Sequence, residues 1–307
     1  LPEPPIGKVA VAVAARDSNR VYALIETQDE GLWRSDDGGE TWTLINRDHA
    51  LLNRPLYYTR CVVAPDDADE VYFPATGFHM TLDGGKTIKR FRVWGGDHHD
   101  MWIDPLIPER MLVGNDQGIA ISVNGGKTWH GVHLPIAQMY HVYVDNQVPY
   151  YVYGNRQDGT SYRGPSNSRL GRAGIPRGLW HPVGGFESGF AVPDPVDNNI
   201  VWSGNYDGML DRFDLRTKQS RGVTVWPESI QGWAAADAKF RFQWTFPIAV
   251  SPHDHNRVYV GSQYAHMTTD GGQSWTIISP DLTTNDKAKQ QRTGGITRDD
   301  ADRKSVG

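Results

Sequence analysis

Five carboxylates stand in loop-like stretches that are rich in glycine, amide and aromatic residues. They are Asp100, Asp116, Asp158, Glu187 and Asp207. Hydrolysis of a glycosidic bond needs two such groups, one protonated as general acid and one ionised as base or nucleophile. We therefore take these five as candidate catalytic residues. Glu187 is the preferred acid, because the apolar segment around it (residues 184–190) would favour a protonated carboxyl.

Neighbouring loops carry side chains that suit recognition of a sugar. Aromatic rings stack on the faces of sugar rings, and arginines bind carboxylates through paired hydrogen bonds. The candidate substrate-binding residues are His98, His99, Arg156, Arg241, Tyr58 and Trp244.

The run 97–100, Asp-His-His-Asp, is the most unusual local cluster. Because neighbouring residues at the start of a strand point to opposite sides, at most one of the two histidines is expected to face a ligand. A metal site here would need ligands from other segments, such as Asp116 or His141. Hydrogen bonding between loops is the alternative interpretation, and we predict no metal and no other cofactor.

An eight-residue pattern that recurs four times provides the frame for these loops. It reads SDDGGETW at 35–42, TLDGGKTI at 81–88, SVNGGKTW at 122–129 and TTDGGQSW at 268–275. A short acid or amide followed by two glycines makes a tight turn, and the flanking apolar residues form the two strands that the turn joins. The Asp and the Ser or Thr can bond backbone groups inside the turn, while the Trp covers the base of the hairpin. These boxes are predicted to be structural.

The pattern S-x-D-x-G-x-T-W resembles the Asp-box, or BNR repeat, of the β-propellers of sialidases, xyloglucanases and the sortilin/VPS10 group. Nearly the whole chain resembles an interior portion of long bacterial BNR/VPS10-like proteins that are often labelled glycosyl hydrolases. The resemblance implies a propeller in which the boxes lie away from the ligand site. Arg60, Arg156 and Arg241 are similar to the three-arginine clamp of sialidases. However, the Phe-Arg-Ile-Pro motif and an evident Tyr-Glu pair are missing, which makes a sialidase a minor alternative.

A longer repeat supports this fold. Six alternating apolar strands, each followed by a polar turn and a second strand, recur at steps of 50, 40, 41, 49 and 57 residues. Such a period is typical of stacked or radial units. We predict an all-β fold, a β-propeller with six four-stranded antiparallel blades over residues 1–280. Residues 281–307 are predicted to be a polar tail or the start of a missing blade. The box turns and the candidate site loops are predicted to lie at opposite ends of the blades.

Composition excludes several classes of function. The net charge of −5 and the scattered basic residues argue against nucleic-acid binding. A single cysteine, Cys61, excludes an internal disulfide and is expected to be buried in a strand. No apolar run is long enough for a membrane span, and the chain opens without a signal-peptide pattern, so we interpret it as a processed or partial protein. If it is partial, apolar surface left open would favour association.

Three functions remain open at the level of sequence. The first is a glycosidase, secreted or periplasmic, that cleaves a polysaccharide or oligosaccharide. The second is a non-catalytic, sortilin-like propeller that binds a peptide or glycan. The third and weakest is a metal-assisted polysaccharide lyase that uses His98 and His99.

Overall fold

The computed structural model describes residues 1–28, 31–132 and 136–292. In these ranges the chain forms six four-stranded antiparallel sheets, and the strands of each sheet pair in the order of the sequence. The first sheet consists of β1 (Val9–Val13), β2 (Val21–Ile25), β3 (Gly31–Ser35) and β4 (Thr43–Asn46). The second consists of β5 (Val62–Val63), β6 (Val71–Pro74), β7 (Phe78–Thr81) and β8 (Lys89–Arg90). The third consists of β9 (His98–Ile103), β10 (Met111–Asn115), β11 (Gly118–Ser122) and β12 (His130–Val132). This up-and-down order is that of a propeller blade.

The last three sheets have the same order. The fourth sheet consists of β13 (Met139–Val144), β14 (Tyr151–Arg156), β15 (Tyr162–Pro165) and β16 (His181–Pro182). The fifth consists of β17 (Ala191–Pro193), β18 (Ile200–Gly204), β19 (Leu210–Asp214) and β20 (Gln219–Gly222). The sixth consists of β21 (Ile248–Val250), β22 (Val258–Gly261), β23 (Ala265–Thr268) and β24 (Thr276–Ile277). Helical structure in the described ranges is limited to 3₁₀ turns at His49–Leu51, Gly171–Ala173, Arg177–Leu179, Tyr206–Gly208, Ala235–Asp237 and Lys287–Gln290. The predictions of an all-β fold and of six four-stranded blades are confirmed.

The described residues divide into two compact units. Residues 1–132 hold the first three sheets, and residues 136–292 hold the last three. The predicted single propeller domain over residues 1–280 stays a prediction.

The core of each unit lies between successive sheets. In the first unit Tyr22, Leu24 and Phe73 are completely buried between the first two sheets. In the second unit Phe246 and Val258 are completely buried between the fifth and sixth sheets. The second strand of a blade has a strand on each edge and apolar neighbours on both faces, which explains why such strands read as continuous apolar runs.

The four boxes form the hairpin turns that their residue types predict. In the first box, Ser35 Oγ accepts the N–H of Gly39 at 2.8 Å, while the Asp37 carboxylate accepts the N–H of Thr41 at 2.9 Å and the Thr41 hydroxyl at 2.5 Å. Equivalent bonds are made in the second box by Thr81, Asp83 and Thr87 and in the fourth by Thr268, Asp270 and Ser274. In the third box Ser122 and Asn124 accept the same backbone N–H groups, but the Asn124 amide donates to the Thr128 hydroxyl, which reverses that bond. Side chains of each box therefore satisfy backbone donors of the same turn.

The tryptophans of the boxes serve different purposes. Trp42 donates its indole N–H to the carbonyl of Gly39 within its own hairpin, as predicted. Trp275 donates instead to the carbonyl of Val223, which follows the neighbouring fifth sheet. Sequence alone does not distinguish these two, because both rings stand at the same position of the pattern.

The boxes lie at the same end of their blades as the turn between the first two strands. Gly38, Gly84 and Gly125 each donate their backbone N–H to a carbonyl of that turn, at 2.9, 3.0 and 3.0 Å. In the first unit, Arg34 also donates to the carbonyl of Gly84 in the next blade. The candidate site loops leave the opposite ends of the strands, as predicted from strand order.

Hydrogen bonding in the boxes makes their carboxylates acidic. Donation by the Ser35 hydroxyl and by Thr41 lowers the pKa of Asp37 from 3.8 to about 2. Donation by Thr87 and Thr81 lowers the pKa of Asp83 to about 2, and donation by Ser274 and Thr268 lowers that of Asp270. The third box has Asn124 in the acid's place and cannot titrate.

In a triple variant, Asp37, Asp83 and Asp270 are each replaced by Asn. Its free energy of unfolding is expected to fall less steeply than that of the wild type as the pH is lowered. A carboxylate whose pKa is lowered by folding stabilises the fold above about pH 4, and this stabilisation is lost as the pH falls towards 2. An Asn side chain keeps the acceptor oxygen but does not titrate. Asn124 of the third box shows that this oxygen can accept the backbone N–H of the turn. The check is the free energy of unfolding in urea from pH 5 to pH 2. Parallel pH profiles for the two proteins would refute the coupling, since every other carboxylate is common to both.

Cys61 is buried just before β5, and burial raises the pKa of its thiol to about 12. No described helix combines the length and the apolar character needed to cross a bilayer.

Val9, Val11 and Val13 expose between 46% and 61% of their surface along β1. The predicted association through apolar surface stays a prediction.

The predicted tail is described as far as residue 292. Its first part is fastened to the second unit, because Leu282 donates its N–H to the carbonyl of Gln263 and Asp281 is paired with Arg241 at 3.2 Å. The remainder of the predicted tail lies outside the described residues.

Candidate functional site

Two of the five candidate carboxylates are brought together in the second unit by one amide. Gln157 follows β14 directly, and its Nε2 donates to Asp158 Oδ1 at 2.9 Å and to Glu187 Oε2 at 3.0 Å. Glu187 lies about 30 residues further on, in the loop between β16 and β17. The two carboxylate oxygens are therefore at most about 6 Å apart, the sum of two ordinary hydrogen bonds.

The amide is held in one orientation by a chain of donors. Trp244 Nε1 donates to the hydroxyl oxygen of Tyr140 at 3.2 Å, and this hydroxyl donates to Gln157 Oε1. Because Oε1 is occupied as an acceptor, the nitrogen of the amide must face the two acids. Burial, together with the negative charges of Glu187 and Asp158, raises the pKa of Tyr140, so its hydroxyl remains a donor at neutral pH.

The two acids stand in different environments. Glu187 exposes only 4% of its surface, whereas Asp158 is exposed. The loop that buries Glu187 depends on Gly185, which has a positive φ of 62° and would place a Cβ 2.7 Å from the carbonyl oxygen of Gly204. Ser188, next to Glu187, also has a positive φ and donates its hydroxyl to the carbonyl of Trp244 at 2.7 Å. Contrasting environments of this kind are what separates an acid from a nucleophile.

Aromatic rings lie beside the pair. Tyr206 stacks on Trp244 with ring centroids 5.2 Å apart, and Phe186 meets Tyr206 edge-on at 6.5 Å. Trp244 is only 5% exposed, so it does not present an open ring face to a sugar, contrary to its predicted role as a sugar-binding residue. Phe186 is 40% exposed, so a ligand can reach its ring.

Asp207 is close to these rings in sequence but is anchored elsewhere. It is 7% exposed, has a positive φ of 61° and accepts the hydroxyl of Ser229 at 2.9 Å. Its bonding to Ser229 fits a carboxylate that shapes the loop around Tyr206.

The two predicted arginines of this unit do not form a carboxylate clamp. Arg241 is paired with Asp281 at 3.2 Å and donates to Thr283 at 2.7 Å, with only 8% of its side chain exposed. Its Nη2 is therefore already engaged by groups of this unit. Arg156 lies over the ring of Tyr162 at 5.1 Å and covers Gly159, where a Cβ would meet it at 1.8 Å.

The remaining candidates belong to the first unit, where Tyr58, His99 and Asp116 contact one another. His99 Nε2 lies 2.7 Å from Asp116 Oδ1, and the ring of Tyr58 lies 5.1 Å from that of His99. Tyr58 itself is 3% exposed. Asp100 is exposed and accepts the N–H of Met101 at 2.9 Å.

The two adjacent histidines point to opposite sides of β9, as the alternation of a strand predicts. His98 is 4% exposed, packs edge-on against Phe78 and faces the carbonyl of Ala75, so it is not presented to a ligand. Burial lowers the pKa of His98. Within the described ranges no group of three or more His, Cys, Asp or Glu residues is placed to hold a metal ion.

Tyr140 lies in β13 and Gln157 directly follows β14, and neither residue is among the candidates chosen from the sequence. A tyrosine and a glutamine are common on any surface, and nothing in their spacing marks them. Their role comes from hydrogen bonds between residues 17 to 104 positions apart.

Comparison with known proteins agrees with the repeat. Residues 33–44 match the model of the BNR/Asp-box repeat. No curated protein matches the chain.

Among solved structures the chain is similar to a GH74 enzyme of Niastella koreensis, with 14% identity over 89% of this chain and 59% of that one and a TM-score of 0.33. It is also similar to YCF48 from Cyanidioschyzon merolae, with 16% identity over 92% and 88% of the two chains and a TM-score of 0.32. A GH74 xyloglucanase from Xanthomonas campestris has 14% identity over 85% and 45%, with a TM-score of 0.30. The chain thus spans about three fifths of the Niastella enzyme. It carries the BNR/Asp-box repeat on four-stranded blades of the propeller type.

Proposed function

We propose that the chain is a glycoside hydrolase acting on a polysaccharide or oligosaccharide, with Glu187 and Asp158 as its carboxylate pair. The observation that carries this proposal is the single amide of Gln157, which contacts both acids at 2.9 and 3.0 Å. A buried acid and an exposed acid at a fixed short separation are the two groups that glycosidic cleavage requires.

The separation favours a retaining mechanism. Retaining glycosidases hold their carboxyl groups about 5 Å apart, whereas inverting enzymes need at least about 6.5 Å to admit a water. An upper limit of about 6 Å between the Glu187 and Asp158 oxygens fits the first class. In the first step Glu187 gives its proton to the leaving oxygen, and Asp158 bonds to the anomeric carbon as the glycosidic bond breaks. In the second step water attacks this carbon, Glu187 takes the water's proton and Asp158 leaves.

One observation favours a second candidate, a non-catalytic propeller that binds a peptide. Gln157 donates to both carboxylates, and hydrogen bonds of this kind stabilise the ionised form of each. Two ionised acids beside the exposed ring of Phe186 would suit a Lys or Arg side chain of a ligand. One of the similar structures is that of YCF48 bound to D1 peptide, and the peptide binding it shows is a property of YCF48.

The lyase alternative has little support from the residues. His98 is buried, and His99 is engaged by Asp116. We also propose a secreted or periplasmic location, which rests on the proposed polymeric substrate alone.

The deciding experiment is a screen of the purified chain against plant, algal and sialylated glycans, with both reducing ends and unsaturated uronic products measured. New reducing ends that appear with retained anomeric configuration in early proton NMR spectra are the expected result. Inverted products would contradict the assigned roles. Unsaturated products would contradict hydrolysis itself. Saturable binding of a basic peptide by a folded chain that cleaves no glycan would favour the second candidate.

A further inference from the structure

A pocket lies in the second unit, and the carboxylate pair is not part of its lining. It has a volume of about 350 Å³ and is formed by the segment after β20, the segment before β21 and the outer strands of the sixth sheet. Its walls include Thr224, Trp226, Lys239, Phe240, Gln273 and Trp275. None of its lining residues belongs to the network around Gln157.

Lys239 is a cation in the lining of this pocket. The ammonium of Lys239 lies 3.2 Å from the ring centre of Trp226 and 5.4 Å from that of Phe240. Among the described residues it forms no ion pair with a carboxylate. Its positive charge is therefore balanced only by aromatic faces, which attract a cation more weakly than a carboxylate does.

The other ionisable groups at or next to the pocket lining leave Lys239 as its charged side chain. Asp270 precedes the lining residue Gln273 by three positions and already accepts bonds from Thr268, Ser274 and the N–H of Gln273. His266 is 1% exposed, and burial lowers its pKa, which favours the neutral imidazole. Arg221, outside the lining, donates to the carbonyl of Gly271 at 2.6 Å and adds to the positive charge on this side.

The walls define the shape of the ligand. Trp226 is 40% exposed, so part of its indole surface is open to a ligand, while Trp275 uses its N–H on the carbonyl of Val223 and offers only ring surface. Flat apolar surface of this kind suits the C–H face of a sugar ring. Gln273 and Ser274 on the rim can bond to hydroxyl groups of such a ring.

We propose that this pocket binds a uronic acid unit of an acidic glycan, with its carboxylate on Lys239 and its ring against Trp226 and Trp275. A single ammonium matches the single charge of a carboxylate, whereas a phosphate group is usually bound by several donors or an arginine fork. The site adds to the proposed hydrolase a second point of attachment for an acidic polymer, and it does not require the chain to be catalytic.

The test uses a pair of ligands that differ only in charge, namely α-1,4-linked trigalacturonate and its fully methyl-esterified form. Isothermal titration is expected to show saturable binding of the acid. The ester is expected to bind at least about fivefold more weakly, because one partly exposed ion pair contributes about that much to affinity. Lys239→Gln should abolish this preference. Lys289→Gln, which removes the same charge from an exposed residue of the same unit, should preserve it.

Three results would overturn the proposal. These are equal affinity for acid and ester, an unchanged preference in Lys239→Gln, and the absence of saturable binding of the acid by the folded wild-type chain. Trp226→Ala is a second probe, because it should weaken both ligands while circular dichroism shows the fold intact. Repeating the titration with Glu187→Gln separates this site from catalysis, since binding at the pocket is expected to persist in that variant whether or not the chain hydrolyses glycans.

Discussion

Glu187→Gln is expected to lower kcat/KM on the cleaved glycan by about a thousandfold. A positioned general acid contributes between about 10² and 10⁴ to the rate, and the amide has no proton to give to the leaving oxygen. Gln is nearly isosteric with Glu, so the bond to Gln157 can be kept by the remaining carbonyl oxygen. The fold should therefore be preserved, and thermal unfolding by circular dichroism provides the check.

A leaving group that needs no proton distinguishes the roles of the two acids. With an aryl glycoside of an acidic phenol, Glu187→Gln should lose little in the first step. Asp158→Ala should lose activity on both substrates, because the nucleophile is missing, and azide should restore turnover of the aryl glycoside. Asp237→Asn, an exposed change in the same unit, is the matched control and should leave the rates unaltered. Unchanged kcat/KM for Glu187→Gln on the natural glycan would remove Glu187 from the mechanism.

Gly126→Ala is expected to destabilise the first unit by about 3 kcal/mol, through backbone strain and overpacking together. Gly126 has a positive φ of 74°, and a Cβ there would lie 2.1 Å from Cζ of Phe91. That ring cannot easily yield, because it packs against Tyr72 at 5.3 Å and Trp129 at 6.2 Å. Urea denaturation followed by tryptophan fluorescence measures the loss.

The adjacent glycine is the control for this substitution. Gly125 also has a positive φ, 67°, but a Cβ there would have no heavy atom within 4 Å. Gly125→Ala should therefore cost about 1 kcal/mol, the backbone strain alone. Equal losses for the two variants would show that the contact with Phe91 adds nothing.

Much of the fold could be predicted because it repeats. Four boxes share the same order of residues within the turn, and six pairs of strands follow one another at similar steps. Such repetition makes the assignment of each single segment less ambiguous. The box predicted at 35–42 joins β3 (Gly31–Ser35) to β4 (Thr43–Asn46), and the box predicted at 268–275 joins β23 (Ala265–Thr268) to β24 (Thr276–Ile277). Both features are local, since turn residues and alternating apolar residues act over a few positions.

The candidate site was predictable only in part. Sequence identified Asp158 and Glu187 as candidates but gave Asp100, Asp116 and Asp207 similar standing. The structure places Asp100 and Asp116 in the first unit and binds Asp207 to Ser229. It also shows that Trp244 lies beneath Tyr206 and that Arg241 is neutralised by Asp281. Each of these outcomes depends on a partner far away in sequence, which no local pattern reveals.

The sequence by itself determined the all-β class, the number and order of the blades, the turns that close them and the end of the blades that bears variable loops. These follow from backbone preferences and from side-chain alternation, which operate over a few residues. Only the tertiary structure decided which acids share a neighbour and which side chains are already engaged. Trp244, Tyr140, Gln157 and Glu187 come from four different segments, and folding alone brings each within hydrogen-bonding distance of the next.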